Sequence, residues 1–547
     1  MRDYDEITSF IGEWGPFQKL IFFLLSLSSI PNGYVGMAMV FVADIPPHRC
    51  RIPWLNTSSF SLDLNHSIPL QELNGEIILS RCTRFKGHVD SNTSYRNQTE
   101  GCLDGWEFSQ EQYTSTIVTE WDLVCDDAWK APFTVTIFFL GVVSGSFFSG
   151  IISDRYGRRL IFFVTMAVQT IFSILQATSN SWEMFCVFYF ISGMGQIANY
   201  CSAIILGSEL LIKNVRVNFA LLGVPISYAL GYTALPIFAW FIRSWRILLI
   251  ALSLPGFLYI PLWWYVPESP QWLLSQGRVK EAEDIIRIAA KKNGITPPDC
   301  IFQQEACEQL TEHKNKEMYS WLDLVKTRNI RNITFIVIAV WVVISMTYYG
   351  MSLNTANMEG DPYLNCLVAA SSEFLGYGYI WVFVHYVPRR CTLPCTLILS
   401  GIMLLLVKFI PEDLHALYTT LVMIGKTGVT GAFGFLYLYS TELFPTVVRN
   451  MALGATSMSS RLGSTVSPYI AYMGTYNKIL PYIVMGGSTI AAGVLAFFLP
   501  ETKGEKLPEF INQVKPIRCI TMKQDSQKGQ RQKGNVQVEN GVDTIQE

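Results

Sequence analysis

Apolar stretches of about twenty residues recur twelve times along the chain, separated by short polar segments. They fall near 19–42, 132–152, 160–180, 183–208, 217–240 and 246–266, then near 333–353, 364–387, 392–411, 414–441, 450–473 and 480–500. Each is long enough for a helix to cross a hydrocarbon layer of about 30 Å. The pattern predicts an all-α polytopic membrane protein of twelve transmembrane helices. Three long polar segments punctuate it: 43–131, 267–332 and the tail from 501 to 547. Residues 1–18 form a short polar lead, and residues 278–292 have the pattern of an amphipathic helix expected to pack beneath the bundle.

Composition sharpens the class. Half of the 547 residues are hydrophobic and 15% are charged, a balance foreign to a soluble enzyme of this length. Net charge is close to zero, which gives no electrostatic footprint for nucleic acid. The acidic N-terminus and the lack of a small-residue cleavage site after the first apolar run make that run an expected anchor, not a removable signal. Segment 43–131 carries Cys50, Cys82, Cys102 and Cys125 with four Asn-x-Ser/Thr sites at Asn56, Asn65, Asn92 and Asn97. That combination marks an extracellular or lumenal face with two disulfides in any of three connectivities. Ten Lys/Arg in 267–332, with Arg155, Arg158, Arg159, Lys213, Arg216, Arg389 and Arg390 in short loops, put those segments and both termini in the cytosol.

The chain contains an internal repeat. Glu209 and Glu442, Arg216 and Arg449, and Glu268 and Glu501 are each 233 residues apart, and each pair occupies the same place relative to an apolar run. One such match arises by chance, whereas three at one spacing imply two pseudo-symmetric six-helix bundles, 19–266 and 333–500. Repeats of this kind set a substrate site at the midplane between halves, opened alternately to either side.

The eleventh apolar run holds a candidate for that site. Arg461 lies eleven residues past Asn450, about 16 Å deep at ~1.5 Å of rise per residue. An arginine there costs about 2.5 to 3.5 kcal/mol on insertion scales and cannot shed its proton. Either it faces a wet cavity and holds an anionic group, or it pairs with Glu373 or another buried acid. The 233-residue offset maps it onto Tyr228, so the two are expected to face each other across the cavity. Lys426 is a second buried cation that can snorkel, pair with Glu373 or add to an anion-attracting cavity.

Gly150-Ile-Ile-Ser-Asp154-Arg155-Tyr-Gly157-Arg158-Arg159 joins the second and third helices, with Asp154 placed to cap a helix and pair with arginines. This loop resembles the signature of the major facilitator superfamily. Pro267-Glu-Ser-Pro-Gln-Trp-Leu274 and Pro500-Glu-Thr-Lys-Gly504 are similar to signatures of its sugar- and organic-ion-transporting branches. Gly12-Glu-Trp-Gly-Pro-Phe17, Pro31-Asn-Gly33, Gly105-Trp-Glu-Phe-Ser109, Ile117-Val-Thr-Glu-Trp121, Pro445-Thr-Val-Val-Arg-Asn450 and Ser460-Arg-Leu-Gly-Ser464 resemble the novel organic cation/carnitine transporter group, from residue 1 to about 510.

The resemblance implies the major facilitator fold and plasma-membrane uptake of zwitterionic quaternary ammonium compounds such as carnitine, or of organic cations. It implies sodium coupling in the carnitine members. Arg461 would take a carboxylate through a charge-assisted contact. A trimethylammonium has no N–H to donate, so aromatic faces are its natural receptors. The resemblance points to Tyr200, Tyr228, Tyr349, Tyr437 and Tyr439. For sodium, hard oxygen donors are needed at a broken helix; Asn32 beside Pro31 and Gly33 fits, with Gln169, Gln196 and Asn199 as further amides. Interhelical hydrogen bonding is the alternative use of all four.

Departures from the group matter too. Gly207-Ser-Glu-Leu-Leu-Ile-Lys213-Asn214 lacks the second glycine and the hydroxyl of a nucleotide loop, so ATP binding is not expected. The tail Thr544-Ile-Gln-Glu547 lacks the apolar last residue that a PDZ scaffold reads. Rival readings are an organic-anion exchanger, a sodium-independent ergothioneine or organic-cation carrier, and a sugar carrier, whose cavity would hold more hydrogen-bonding side chains than tyrosines. No His-Glu-x-x-His or Gly-x-Ser-x-Gly supports an enzyme. A receptor would leave the duplication unexplained.

Overall fold

The computed structural model describes residues 4–52, 68–73, 76–86, 99–298, 301–302, 323–358, 360–411, 414–504, 508 and 511–517. Its first half holds α1 (Pro16–Val42), α2 (Lys130–Tyr156), α3 (Arg158–Ala177), α4 (Trp182–Leu210), α5 (Val215–Phe241) and α6 (Trp245–Trp264). The second half holds α7 (Arg328–Leu353), α8 (Pro362–Tyr386), α9 (Arg389–Leu406), α10 (His415–Leu443), α11 (Thr446–Tyr472) and α12 (Leu480–Ala496).

Nine helices among the described residues are long and apolar enough on their own to span a membrane, and α12 is a shorter apolar helix. The two that fall short, α4 and α11, carry Gln196 and Asn199 and the Ser-rich Arg461 stretch respectively. Polar residues dilute these two because they line the interior.

α1 is interrupted at Ser28 and Ser29, before Pro31, which has no N–H to continue the ladder. α5 widens into a π-turn at Phe219–Gly223, ahead of Pro225, and carries Pro236 near its end. Such local widening is common where a helix serves a site. The second part of α6, Leu254–Trp264, tightens into a 3-10 helix around Pro255 and Pro261. α1 and α5 cross at contact distance: a Cβ on Gly33 would sit 2.2 Å from the Tyr228 carbonyl, and one on Gly231 2.1 Å from that of Ile30. This close crossing brings Asn32 and Tyr228 together.

The two halves repeat in detail. Glu268 Oε1 accepts the N–H groups of Arg158 and Arg159 at 2.9 and 3.0 Å, and Glu501 takes those of Arg389 and Arg390 at 2.9 and 3.0 Å. Each carboxylate thus caps the start of α3 or α9, where a helix favours negative charge. Arg216 Nε donates to Leu211 O at 3.1 Å; Arg449 Nε donates to Phe444 O at 3.2 Å. Arg158 pairs with Glu209 at 3.4 Å and Arg389 with Glu442 at 3.3 Å.

One expectation is corrected here: Asp154 does not cap α3. It pairs with Arg158 at 2.6 Å and is largely exposed, because the cap position is taken by Glu268 reaching in beside Gly157. At Gly157 φ is +106° and a Cβ would lie 2.6 Å from Glu268 Oε2, so both the turn and the approach need glycine. Arg155 lies over the Tyr156 ring.

Between α1 and α2 the chain forms short antiparallel pairs. β1 (His48–Cys50) pairs with β6 (Trp106–Phe108), β2 (Leu70–Leu73) with β3 (Glu76–Leu79), and β4 (Thr83–Phe85) with β5 (Thr99–Gly101). The disulfides are Cys50–Cys102 and Cys82–Cys125. Asn56, Asn65, Asn92, Asn97 and the C-terminal four residues lie outside the described residues. On the opposite face, the Val279–Lys292 helix ends at Asn293, whose side chain accepts from Phe17 N–H and donates to Ile11 O, both at 3.0 Å. The amphipathic helix therefore docks under the start of α1, as its pattern suggested.

Candidate functional site

A cavity lies between the halves, lined from α1, α2, α4 and α5 on one side and α7, α8, α10 and α11 on the other. Its walls are aromatic: Tyr200, Tyr228, Tyr348, Tyr349, Tyr377 and Tyr437 with Phe138, Phe139 and Phe433. Non-aromatic polar side chains number three, Asn32, Gln196 and Arg461. A larger space adjoins it through the shared wall of Tyr377 and runs along the ends of α5, α8 and α10, past His385 and Arg389 on the face away from the disulfides. On the disulfide side the halves meet: Phe41 stacks on Tyr363 at 5.2 Å, and Tyr363 Oη donates to Gln112 O at 2.8 Å.

Arg461 lines this cavity together with Tyr228, the residue its repeat position designates. The residue is 6% exposed, and its Nε has no hydrogen-bond partner. Among the described residues no carboxylate pairs with it. Its electrostatic neighbours are Tyr437, Tyr349, Cys201 and Tyr200. Glu373, the acid that could have neutralised it, is spent elsewhere. Glu373 Oε1 accepts from Tyr348 Oη at 2.6 Å and lies 4.0 Å from Lys426 Nζ. Lys426 also reaches Tyr232 of the other half, donating to Oη at 3.3 Å with its ammonium 4.6 Å from the ring centre. A buried guanidinium without a counter-charge lacks most of what offsets its desolvation. An anionic group entering the cavity would supply that missing partner.

Four of the five selected tyrosines share the cavity with Arg461: Tyr200, Tyr228, Tyr349 and Tyr437. Tyr439 does not. Two residues on from Tyr437, it points to another face of α10 and donates to Pro500 O at 2.6 Å. Tyr348, Tyr377 and the three phenylalanines escaped sequence reasoning. Tyr377 could have been found, since it lies one turn from Glu373 on α8 and so shares its inward face.

The amides cluster on the first half. Asn32 Nδ2 donates to Asn199 Oδ1 at 3.2 Å, and Gln196 Nε2 donates to the Asn32 carbonyl at 2.6 Å. Asn199 Nδ2 donates to Phe162 O at 3.1 Å. Asn32 Oδ1 and Gln169 Oε1 are buried oxygens without a hydrogen-bond partner, the donor type a hard cation takes. Gln169 lies behind α4 and outside the cavity, so the four amides do not form one ring around it.

Two pseudo-symmetric bundles enclosing a midplane cavity define a membrane transporter of the alternating-access type. Residues 83–513 match the family described as "Sugar (and other) transporter". The chain belongs to that family of the major facilitator superfamily and, within it, to the organic cation/carnitine transporter group. It is 50% identical over 530 residues to "Organic cation/carnitine transporter 2" of Homo sapiens, covering 95% of each chain. It is 48% identical to "Solute carrier family 22 member 4" of Mus musculus, over 95% of this chain and 96% of that one. Among solved structures, the proton:xylose symporter XylE matches with a TM-score of 0.57 at 16% identity, over 91% of this chain and 99% of that one. That likeness establishes the fold alone.

Proposed function

We propose that this transporter carries carnitine-like zwitterionic quaternary ammonium compounds, and organic cations, inward across the plasma membrane in symport with sodium. The observation that carries the reading is Arg461, a permanent cation with no protein counter-charge, set among tyrosine faces. Its guanidinium takes the carboxylate; Tyr200, Tyr228, Tyr349 and Tyr437 receive the ammonium at roughly 0.5 to 2 kcal/mol per face. Sodium is the second cargo, with Asn32 Oδ1 as its first donor and Gln196 and Asn199 as the amides beside it; Gln169, behind α4, stands apart from them. The Glu and Arg latches repeated in each half hold the helix ends that gate the cavity: Glu209, Arg216 and Glu268, then Glu442, Arg449 and Glu501. Glycans on Asn56, Asn65, Asn92 and Asn97 mark the outside, and both termini lie in the cytosol.

The name of the 50% identical human relative, an organic cation/carnitine transporter, supports this substrate class. The cavity's composition weighs against a sugar carrier, since tyrosines outnumber its other polar side chains. Uptake of radiolabelled carnitine, ergothioneine and tetraethylammonium, each with and without sodium, tests the reading. Sodium-dependent carnitine uptake is expected. Dicarboxylates outcompeting carnitine, with no effect of sodium, would identify an organic-anion exchanger instead.

A further inference from the structure

A second cavity sits directly above the central one on four of the same helices. On α1 its walls lie at Met39 and Val40, one turn past Gly36 of the central site; on α2 they reach Val135, one turn before Phe139. On α7 Leu353 lies one turn past Tyr349, and on α11 Pro468 lies two turns past Arg461. The two spaces are therefore stacked along the axis between the halves. The edge-to-face pair Phe139–Tyr349, 4.9 Å between centres, lies at their boundary.

The upper space holds a single charged residue, Asp44, just beyond the end of α1, with Asn357, Tyr472 and Thr475 as its other polar walls. Ile45 N–H donates to Asp44 Oδ1 at 2.9 Å, and among the described residues no cation pairs with the carboxylate. Cations of the same outer face have other partners: Arg49, five residues on, pairs with Glu107 at 2.7 Å. Lys130 on α2 pairs with Asp127 at 2.9 Å, and Arg243 donates to Glu111 O at 3.0 Å. The other titratable groups around it are hydroxyls: Tyr113, later in the same outer loop, which hydrogen-bonds the carboxylate, Tyr363 of α8 and Tyr472 of α11, with His48 four residues on. His48 is turned to Pro46 O, and burial lowers its affinity for a proton.

We infer that Asp44 and its cavity form an outer recruiting site for the ammonium group of an incoming organic cation or betaine. The site rests on the substrate class proposed above and adds to it the order of events. A cation is drawn first to a negative mouth with apolar walls, which concentrates it there. When the Phe139–Tyr349 partition parts, the ligand descends to the tyrosines, and a zwitterion's trailing or leading carboxylate reaches Arg461. The opposite signs of the two levels order the ligand along the pathway. Simple cations, with no carboxylate for Arg461, depend on the upper level most.

Burial moves the Asp44 carboxyl up to about 6. It is ionised at pH 7.5 and mostly protonated at pH 5.5, so recruitment is present above pH 6 and lost below it. The KM for tetraethylammonium should therefore rise about fourfold from pH 7.5 to 5.5, following the ionised fraction.

The test is KM and maximal uptake of tetraethylammonium and carnitine at both pH values, with surface abundance measured alongside, in wild type, D44N, D44E and R461A. D44N should raise the KM for tetraethylammonium by about three- to tenfold at pH 7.5 with maximal uptake per surface molecule unchanged. It should also flatten the pH dependence, and D44E should restore both. R461A should lose carnitine uptake. A D44N protein at the surface with wild-type KM and pH profile overturns the recruiting site and leaves the central-site reading standing. Wild type carrying neither compound overturns both.

Discussion

The two halves of this transporter agree at one end and differ in the middle. On the face away from the disulfides, Glu268 and Glu501 cap the same helix starts, and Arg216 and Arg449 hold the same carbonyls to within 0.1 Å. At the midplane the correspondence fails in chemistry though not in position. Tyr228 of α5 stands where Arg461 of α11 does, and Gly193 of α4 stands where Lys426 of α10 does. The first half offers amides and aromatic faces; the second adds Arg461, Lys426 and Glu373. A duplicated scaffold keeps what both halves need in order to move alike. It diverges where a single asymmetric ligand must be gripped at two unlike ends.

The sharpest way to break this comparison is to remove the charge that has no counterpart. Arg461→Ala should reduce carnitine uptake at least about 30-fold, since loss of one partner of a desolvated charge pair costs about 2–5 kcal/mol. Tetraethylammonium uptake should survive, because only the carboxylate end loses its partner. Carnitine uptake equal to wild type, at equal surface abundance, would show that the second half's charge serves packing and not cargo.

Next in size is the buried pair that also belongs to the second half alone. Lys426→Met leaves Glu373 without the cation beside it and should destabilise the protein by about 3–5 kcal/mol. Adding Glu373→Gln should recover most of that loss, read as thermal stability of the purified transporter. If the double variant is as unstable as the single one, Lys426 stabilises through its contact with Tyr232 across the halves.

The conserved latch predicts symmetry of effect. Glu268→Gln and Glu501→Gln each keep an oxygen for the helix N–H groups but lose its charge, a change of about 1–2 kcal/mol. Their thermal midpoints should fall by similar amounts. A large inequality would mean that the halves share geometry without sharing its energetics.

Much of this organisation was legible before the coordinates. The twelve spans were readable because lipid demands length and apolarity, and the repeat because its charged latches are rare letters in an apolar text. Arg461 stood out for the same reason. The disulfide connectivity was not legible, since three pairings satisfy one sequence, and the β pairs that set it are only three or four residues long. The amide set was readable as chemistry but not as geometry. Gln169 and Asn199 are both polar and both buried, yet only the packing of α3 behind α4 shows which lies farther from the cavity. Asp44 was overlooked because it sits past a helix end, where an acid looks like ordinary loop polarity.

The smallest predicted effect tests how finely a face can be resolved on one helix. Tyr437 and Tyr439 are two residues apart on α10, roughly 200° around its axis, and only the first borders the cavity. Tyr437→Ala should raise the KM for cationic substrates by up to about tenfold, the loss of one aromatic face. Tyr439→Phe should leave KM unchanged and cost about 1 kcal/mol of stability, the hydrogen bond to Pro500 O. That carbonyl precedes Glu501, so the lost bond loosens the latch of the second half and not its binding surface. A KM shift in Tyr439→Phe comparable to that of Tyr437→Ala would mean that latch and cavity are one mechanical unit in this half.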